Sequence, residues 1–176
     1  MKTTTSTILT VLKILTWIVF IGLSIKCGSQ IIAFIIGFIN PDYAQNMYEV
    51  NGDWFKIKEQ GIWVYICVMS AIIAISAFKA NIWFMLIGLL SRLNLESPFS
   101  MDVAKRLEGI AYQLLVVWLA GSIVNSYFER YENYDLDTFT GIDSANEFLF
   151  VAGVVYVISQ IFKRGIEMQE ENELTV

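Results

Sequence analysis

SRLNLESPFSMDVAKRLEG, residues Ser91 to Gly109, separates two long apolar runs and is dense in charge where its flanks are not. It contains Pro98, one of only two prolines in the chain. A charged, proline-bearing stretch between runs long enough to cross a bilayer reads as a joint, residues 91–107, between two membrane-spanning hairpins. The rest of the chain falls into place around it.

Composition supports this reading. Of 176 residues, 56% are hydrophobic and 16% charged, whereas soluble domains average about 45–50% and about 25%. The apolar excess is gathered into runs that a water-soluble core of this size could not bury. The net charge is −5 with no basic run, which argues against direct nucleic-acid binding. Histidine is absent, removing the commonest metal ligand and the usual general base near neutral pH. HExxH, GxSxG and P-loop motifs are absent too,. The sequence therefore offers no catalytic, cofactor-binding or metal-ligating set, and a non-enzymatic protein is expected. Cys27 and Cys67 lie far apart with no CxxC partner and read as small apolar fillers of helix interiors,.

The chain predicts four spans, at about 8–39, 62–90, 108–128 and 147–164, in one antiparallel all-α bundle with helical extensions on the inner side. A span needs about 20 apolar residues for a hydrocarbon core of about 30 Å. The first run is long enough to overshoot that core or to bend near Gly28-Ser29. It reads as an uncleaved helix, since apolar sequence resumes directly after Lys26-Cys27. Asn40-Pro41 ends it, because the residue before proline avoids the α region. Loops 40–61 and 129–146 face outward, and Asn51-Gly52 marks a turn for a small hairpin in the first. Within the second span Ser70, Ala74 and Ala77 share a face: either a neighbouring helix approaches closely there, or the placement is chance in an Ala-rich helix. Ser100 is a good N-cap for the third helix, with Asp102 at its positive end. Val103, Leu107 and Ile110 then face one way. The inner tail is 165–176.

Orientation follows from the basic residues, which favour the cytoplasmic side. Lys2, Lys79, Arg92, Lys105, Arg106, Lys163 and Arg164 fall on one side; Lys56, Lys58 and Arg130 fall on the other. Both termini are therefore expected in the cytoplasm of a bacterium, with the spans in its inner membrane and in contact with its lipid. Spans two to four carry no Asp or Glu in their middles, which argues against a proton-coupled transporter. Lys26 has two readings: a cation facing the bundle, or an interfacial lysine snorkelling to headgroups. Gln30, Asn81, Gln113, Asn125 and Gln160 could join helices by hydrogen bonds. Alternatively, Lys26, Gln113, Asn125 and Gln160 mark an intramembrane polar site, which would suit a small transporter or channel subunit. A purely structural or assembly role is a third reading, and the oligomeric state is left open.

Two motifs on the inner side carry a family resemblance. Pro98-Phe99-Ser100, followed by AKRLEGIAY at Ala104–Tyr112, resembles the middle motif of an uncharacterised bacterial four-span membrane family typified by the YoaS protein. The family's end pattern is similar to Ile161-Phe162-Lys163-Arg164-Gly165 and to Met168 through Glu170, Glu171 and Leu174-Thr175-Val176. The longer, more acidic outer loops lie outside the resemblance. Members are often encoded beside a small helix-turn-helix DNA-binding protein. The resemblance thus implies a membrane-bound regulator that holds or releases such a partner, with no catalytic residues. Docking would fall to Pro98, Phe99, Ser100, Lys105, Arg106, Phe162, Gly165, Glu170 and Glu171. An envelope signal would then be coupled to that partner.

Overall fold

In hydrocarbon every backbone N–H and C=O must be bonded within the chain, so a spanning segment becomes a helix whatever its intrinsic propensity. The computed structural model describes residues 2–39, 61–92, 100–129 and 145–174. The expected hairpin at Asn51-Gly52, most of both outer loops, Pro98 and Phe99 lie outside the described residues. Four helices follow in order: α1 (Lys2–Ile39), α2 (Ile62–Arg92), α3 (Met101–Glu129) and α4 (Ala145–Leu174). The protein is an all-α four-helix bundle. Each helix is long and apolar enough to cross a membrane.

The first run forms one helix longer than a hydrocarbon core requires. α1 has 38 residues and continues unbroken through Gly28-Ser29, a length of about 57 Å at about 1.5 Å per residue. Ser29 Oγ donates to the Lys26 carbonyl at 2.8 Å, so its hydroxyl is satisfied inside the helix. The starts of α2 and α3 have local causes. Gly61 has φ +144°, a region that side chains disfavour, and its carbonyl accepts the Tyr65 N–H at 3.1 Å. Ser100 Oγ accepts the Val103 N–H at 3.4 Å, the capping contact expected of a serine at that place.

The chain divides into two compact units. One comprises Met1–Phe20, Asn81–Val116 and Asn146–Val176. Its core is Leu89, Val103, Ile110, Leu114 and Ala152, with Met85, Leu107, Val155 and Phe162 packed against it. Val103, Leu107 and Ile110 thus face inward together. α2 and α3 meet closely at two glycines. A Cβ on Gly109 would lie 2.9 Å from the Met85 methyl, and one on Gly88 would lie 3.1 Å from an Arg106 guanidinium nitrogen. Phe20 of α1 meets Phe84 of α2 with ring centroids 5.6 Å apart.

The other unit comprises Ile21–Ala80 and Val117–Ala145. Met69, Ile72 and Ile75 of α2 form its buried row. Phe34 stacks on Tyr65 at 5.7 Å, and Phe38 meets the same ring edge-on at 5.8 Å. Of the two readings of the small face of α2, chance placement fits the described residues better: Ser70, Ala74 and Ala77 are exposed. A helix that is apolar all round gives no contrast by which to choose its buried side, and the bulkier Met69–Ile75 side makes the contacts. Cys67 is likewise exposed instead of filling the interior, and Cys27 is half-buried; both are free thiols.

Candidate functional site

The polar chemistry of the described residues gathers where α2 ends, α3 begins and α4 leaves its apolar stretch. Asp102 lies in the first turn of α3. Arg106, one turn on, donates from Nε to its Oδ2 at 3.0 Å, and Arg92 of α2 reaches the same oxygen at 3.5 Å. Asp102 lies within the joint and outside the span proper. The hydrogen bond from Arg106, then the charges of Arg106 and Arg92, hold its carboxyl below the usual aspartate range. Deeper in, Lys163 Nζ of α4 donates to both carboxylate oxygens of Glu108 at 2.9 Å. This pair ties α3 to α4 and is mostly shielded, with side-chain exposures of 30% and 22%. Arg164 donates to Glu167 on its own helix at 2.7 Å. We refer to this region as the basic end.

One turn beyond Glu108 along α3, Tyr112 pairs with Tyr156 of α4, their ring centroids 6.2 Å apart. Beyond the tyrosines an open apolar groove of about 270 Å³ runs between the two helices, lined by Ala111, Tyr112, Leu115, Leu149, Ala152, Gly153 and Tyr156. Ala111 and Ala152 are buried and form its floor; the other lining residues are exposed. Three of its seven lining residues, Ala111, Ala152 and Gly153, are small and leave the space unfilled.

The expected docking residues separate by environment. Lys105, Glu170 and Glu171 are exposed. Ser100 is an N-cap, Arg106 is held by Asp102, and Phe162 packs against the core. Gly165 is half-buried. The intramembrane polar residues are divided between the units. Lys26, Gln30 and Asn125 belong to one; Asn81, Gln113 and Gln160 belong to the other. Lys26 and Asn81 are exposed. Gln160 Nε2 donates to Ser159 Oγ on its own helix at 3.3 Å. The side-chain oxygens of Gln30 and Gln113 are buried without a hydrogen-bond partner among the described residues. At the basic end the contacts that join helices are the ion pairs and the apolar core.

Sequence reasoning passed over Glu108, Tyr112, Tyr156 and the three small groove residues. The signal for them was present. Leu149, Ala152, Tyr156 and Lys163 recur at spacings that return to one face of α4, and Glu108, Ala111 and Leu115 do the same on α3.

Large apolar side chains cover the outside of these helices. Ile18 is 61% exposed, Phe150 73% and Ile123 71%. Apolar patches beyond a few hundred Å² are rare on proteins in water, so lipid is the solvent here. Fold and site together define a multi-pass α-helical membrane protein in which ion pairs tie α2 to α3 and α3 to α4 at one basic end. More particularly, the chain belongs to the family described as "Protein of unknown function (DUF2975)", whose model matches residues 32–176. The match takes in the whole basic end and leaves out most of α1; it does not carry the finer likeness to YoaS. No curated protein and no solved structure matches the chain.

Proposed function

We propose that the protein is a non-enzymatic inner-membrane regulator with both termini in the cytoplasm. Its basic end and the helical extension of α4 would dock a small cytoplasmic DNA-binding protein of the helix-turn-helix kind and couple it to an envelope signal. One observation carries the reading: α4 runs on beyond Lys163–Arg164 to Leu174, and Glu167, Glu170 and Glu171 on that extension are exposed. DNA-binding domains present basic surfaces to phosphate, and an acidic helix offers such a surface a competing partner. The ion pairs behind it fix the base from which that helix projects. The excess of Lys and Arg at this end supports its cytoplasmic placement.

The test uses the intact protein in lipid nanodiscs and the helix-turn-helix protein expected as its genomic neighbour. Saturable binding is expected, weakened about tenfold or more by joint Glu170→Lys and Glu171→Lys, a loss of about 1.4 kcal/mol. Ending the chain after Arg164 should abolish it. Undiminished binding by both variants would reject the reading. Placement is checked separately: a cysteine at Lys105→Cys should be shielded from impermeant reagents added to whole cells, and labelling from outside would overturn it.

A further inference from the structure

The groove between α3 and α4 is the described feature whose shape and chemistry ask for an occupant. Three levels of polarity follow one another along it. Nearest the basic end are Lys105, Glu108 and Lys163, which together carry one net positive charge. Lys163 gives two hydrogen bonds to Glu108, and an ammonium group has three to give. Lys105 is exposed on the same face of α3 as Tyr112, seven residues away,. Next come the Tyr112 and Tyr156 rings, exposed by 56% and 41%. Last comes the slot floored by Ala111 and Ala152, where an added Cβ on Gly153 would meet nothing within 4 Å. On α4 each step, Lys163 to Tyr156 and Tyr156 to Leu149, covers about 10.5 Å along the helix.

We propose that this groove is a binding site for one membrane phospholipid. Its phosphate rests against Lys105 and Lys163, its ester region meets the tyrosine hydroxyls, and one acyl chain lies along Ala111 and Ala152. The order of cation, hydroxyl and pure hydrocarbon matches that of phosphate, ester and chain. A second, shallower apolar groove shares Leu149 and Gly153 with the first and continues along Phe150, Val154 and Val157, giving the other chain a place. Charge favours a lipid over a helix of a second copy: the lysines at the head of the groove ask for an anion, and the lining beyond them offers only two tyrosines and hydrocarbon.

Native mass spectrometry of the full chain, purified in mild detergent and exchanged extensively, should show one retained phospholipid. Gly153→Phe fills the slot and should lower retention about tenfold, with helix content by circular dichroism unchanged. Lys105→Glu should weaken it in the same direction, and Ile18→Phe, on the exposed face of α1, should leave it intact. Equal retention by Gly153→Phe would overturn the proposal. So would a dimer that this variant dissociates, since the occupant would then be a second copy. A measurement on the unaltered chain guards against misfolding of the variants. In vesicles of phosphatidylethanolamine and phosphatidylglycerol containing a phospholipid with a photoreactive acyl chain, crosslinks should concentrate on residues 111–115 and 149–156. Labelling of α1 residues 14–25 to the same extent would sink it.

Discussion

Gln113 shows how little a side chain's place in a span says about its partners. Its amide looks like helix-joining glue, yet its oxygen is buried with no hydrogen-bond partner among the described residues. An unmade hydrogen bond of this kind costs about 1–3 kcal/mol. Gln113→Leu removes the orphan at similar length and should raise stability in a denaturing-detergent titration by about 1 kcal/mol; a loss of stability would contradict the burial. Asp102 gives a second test at this scale. Because Arg106 and Arg92 favour its charged form, its native titration is displaced downward. The contribution of the cluster is therefore present at neutral pH and is lost as the pH falls through that lowered value. Carboxyl carbon NMR should place the midpoint below the ordinary value of about 3.9, and Arg106→Gln should move it back up. Neither the orphan nor the Arg92 contact could be read from sequence, since both depend on which residues of a different turn or helix come close.

At the scale of one helix, α2 separates what patterning can and cannot reveal. Its existence and its start were legible, because a run of apolar residues after Gly61 leaves the chain no alternative in lipid. Its buried side was not. With apolar residues on every face the helical period carries no signal, and the small residues proved to point outward while Met69, Ile72 and Ile75 point in. α3 behaves differently at its first turns, where Asp102, Lys105 and Arg106 alternate with Val103, Leu107 and Ile110. That contrast made its inward face readable in advance. The α2 assignment predicts opposite responses on its two sides. Ile72→Ala and Ile75→Ala should each destabilise by about 2–5 kcal/mol, as buried truncations do. Ala74→Leu, on the exposed face, should change stability by less than about 0.5 kcal/mol. Comparable losses at Ile72 and Ala74 in the same titration would reverse the assignment.

For the molecule as a whole, the solvent decides more than any contact. Only 6% of the most apolar stretch of α1 is buried within the chain, against 33% for α2 and for α3. α1 therefore owes little to packing, and its long row of isoleucines makes sense only against lipid. This is why the four-helix fold could be read from composition and run length, while the site could not: lipid-facing and helix-facing positions are written in the same apolar residues. The exceptions are the charges. Glu108 and Lys163 lie 55 positions apart, and their meeting at 2.9 Å depends on α3 and α4 being neighbours, which no local pattern encodes. If exposed apolar surface is the governing quantity, the chain should behave as an integral and not a peripheral protein. Alkaline carbonate strips proteins held by charge, and the ion pairs of the basic end would not resist it. The helices would, because removing them exposes apolar area at about 25 cal/mol per Å². Membranes washed with carbonate should thus retain the full chain in the pellet, and detergent should release it. Recovery in the carbonate supernatant as a soluble monomer would mean that the exposed faces of α1 and α4 close on something other than lipid.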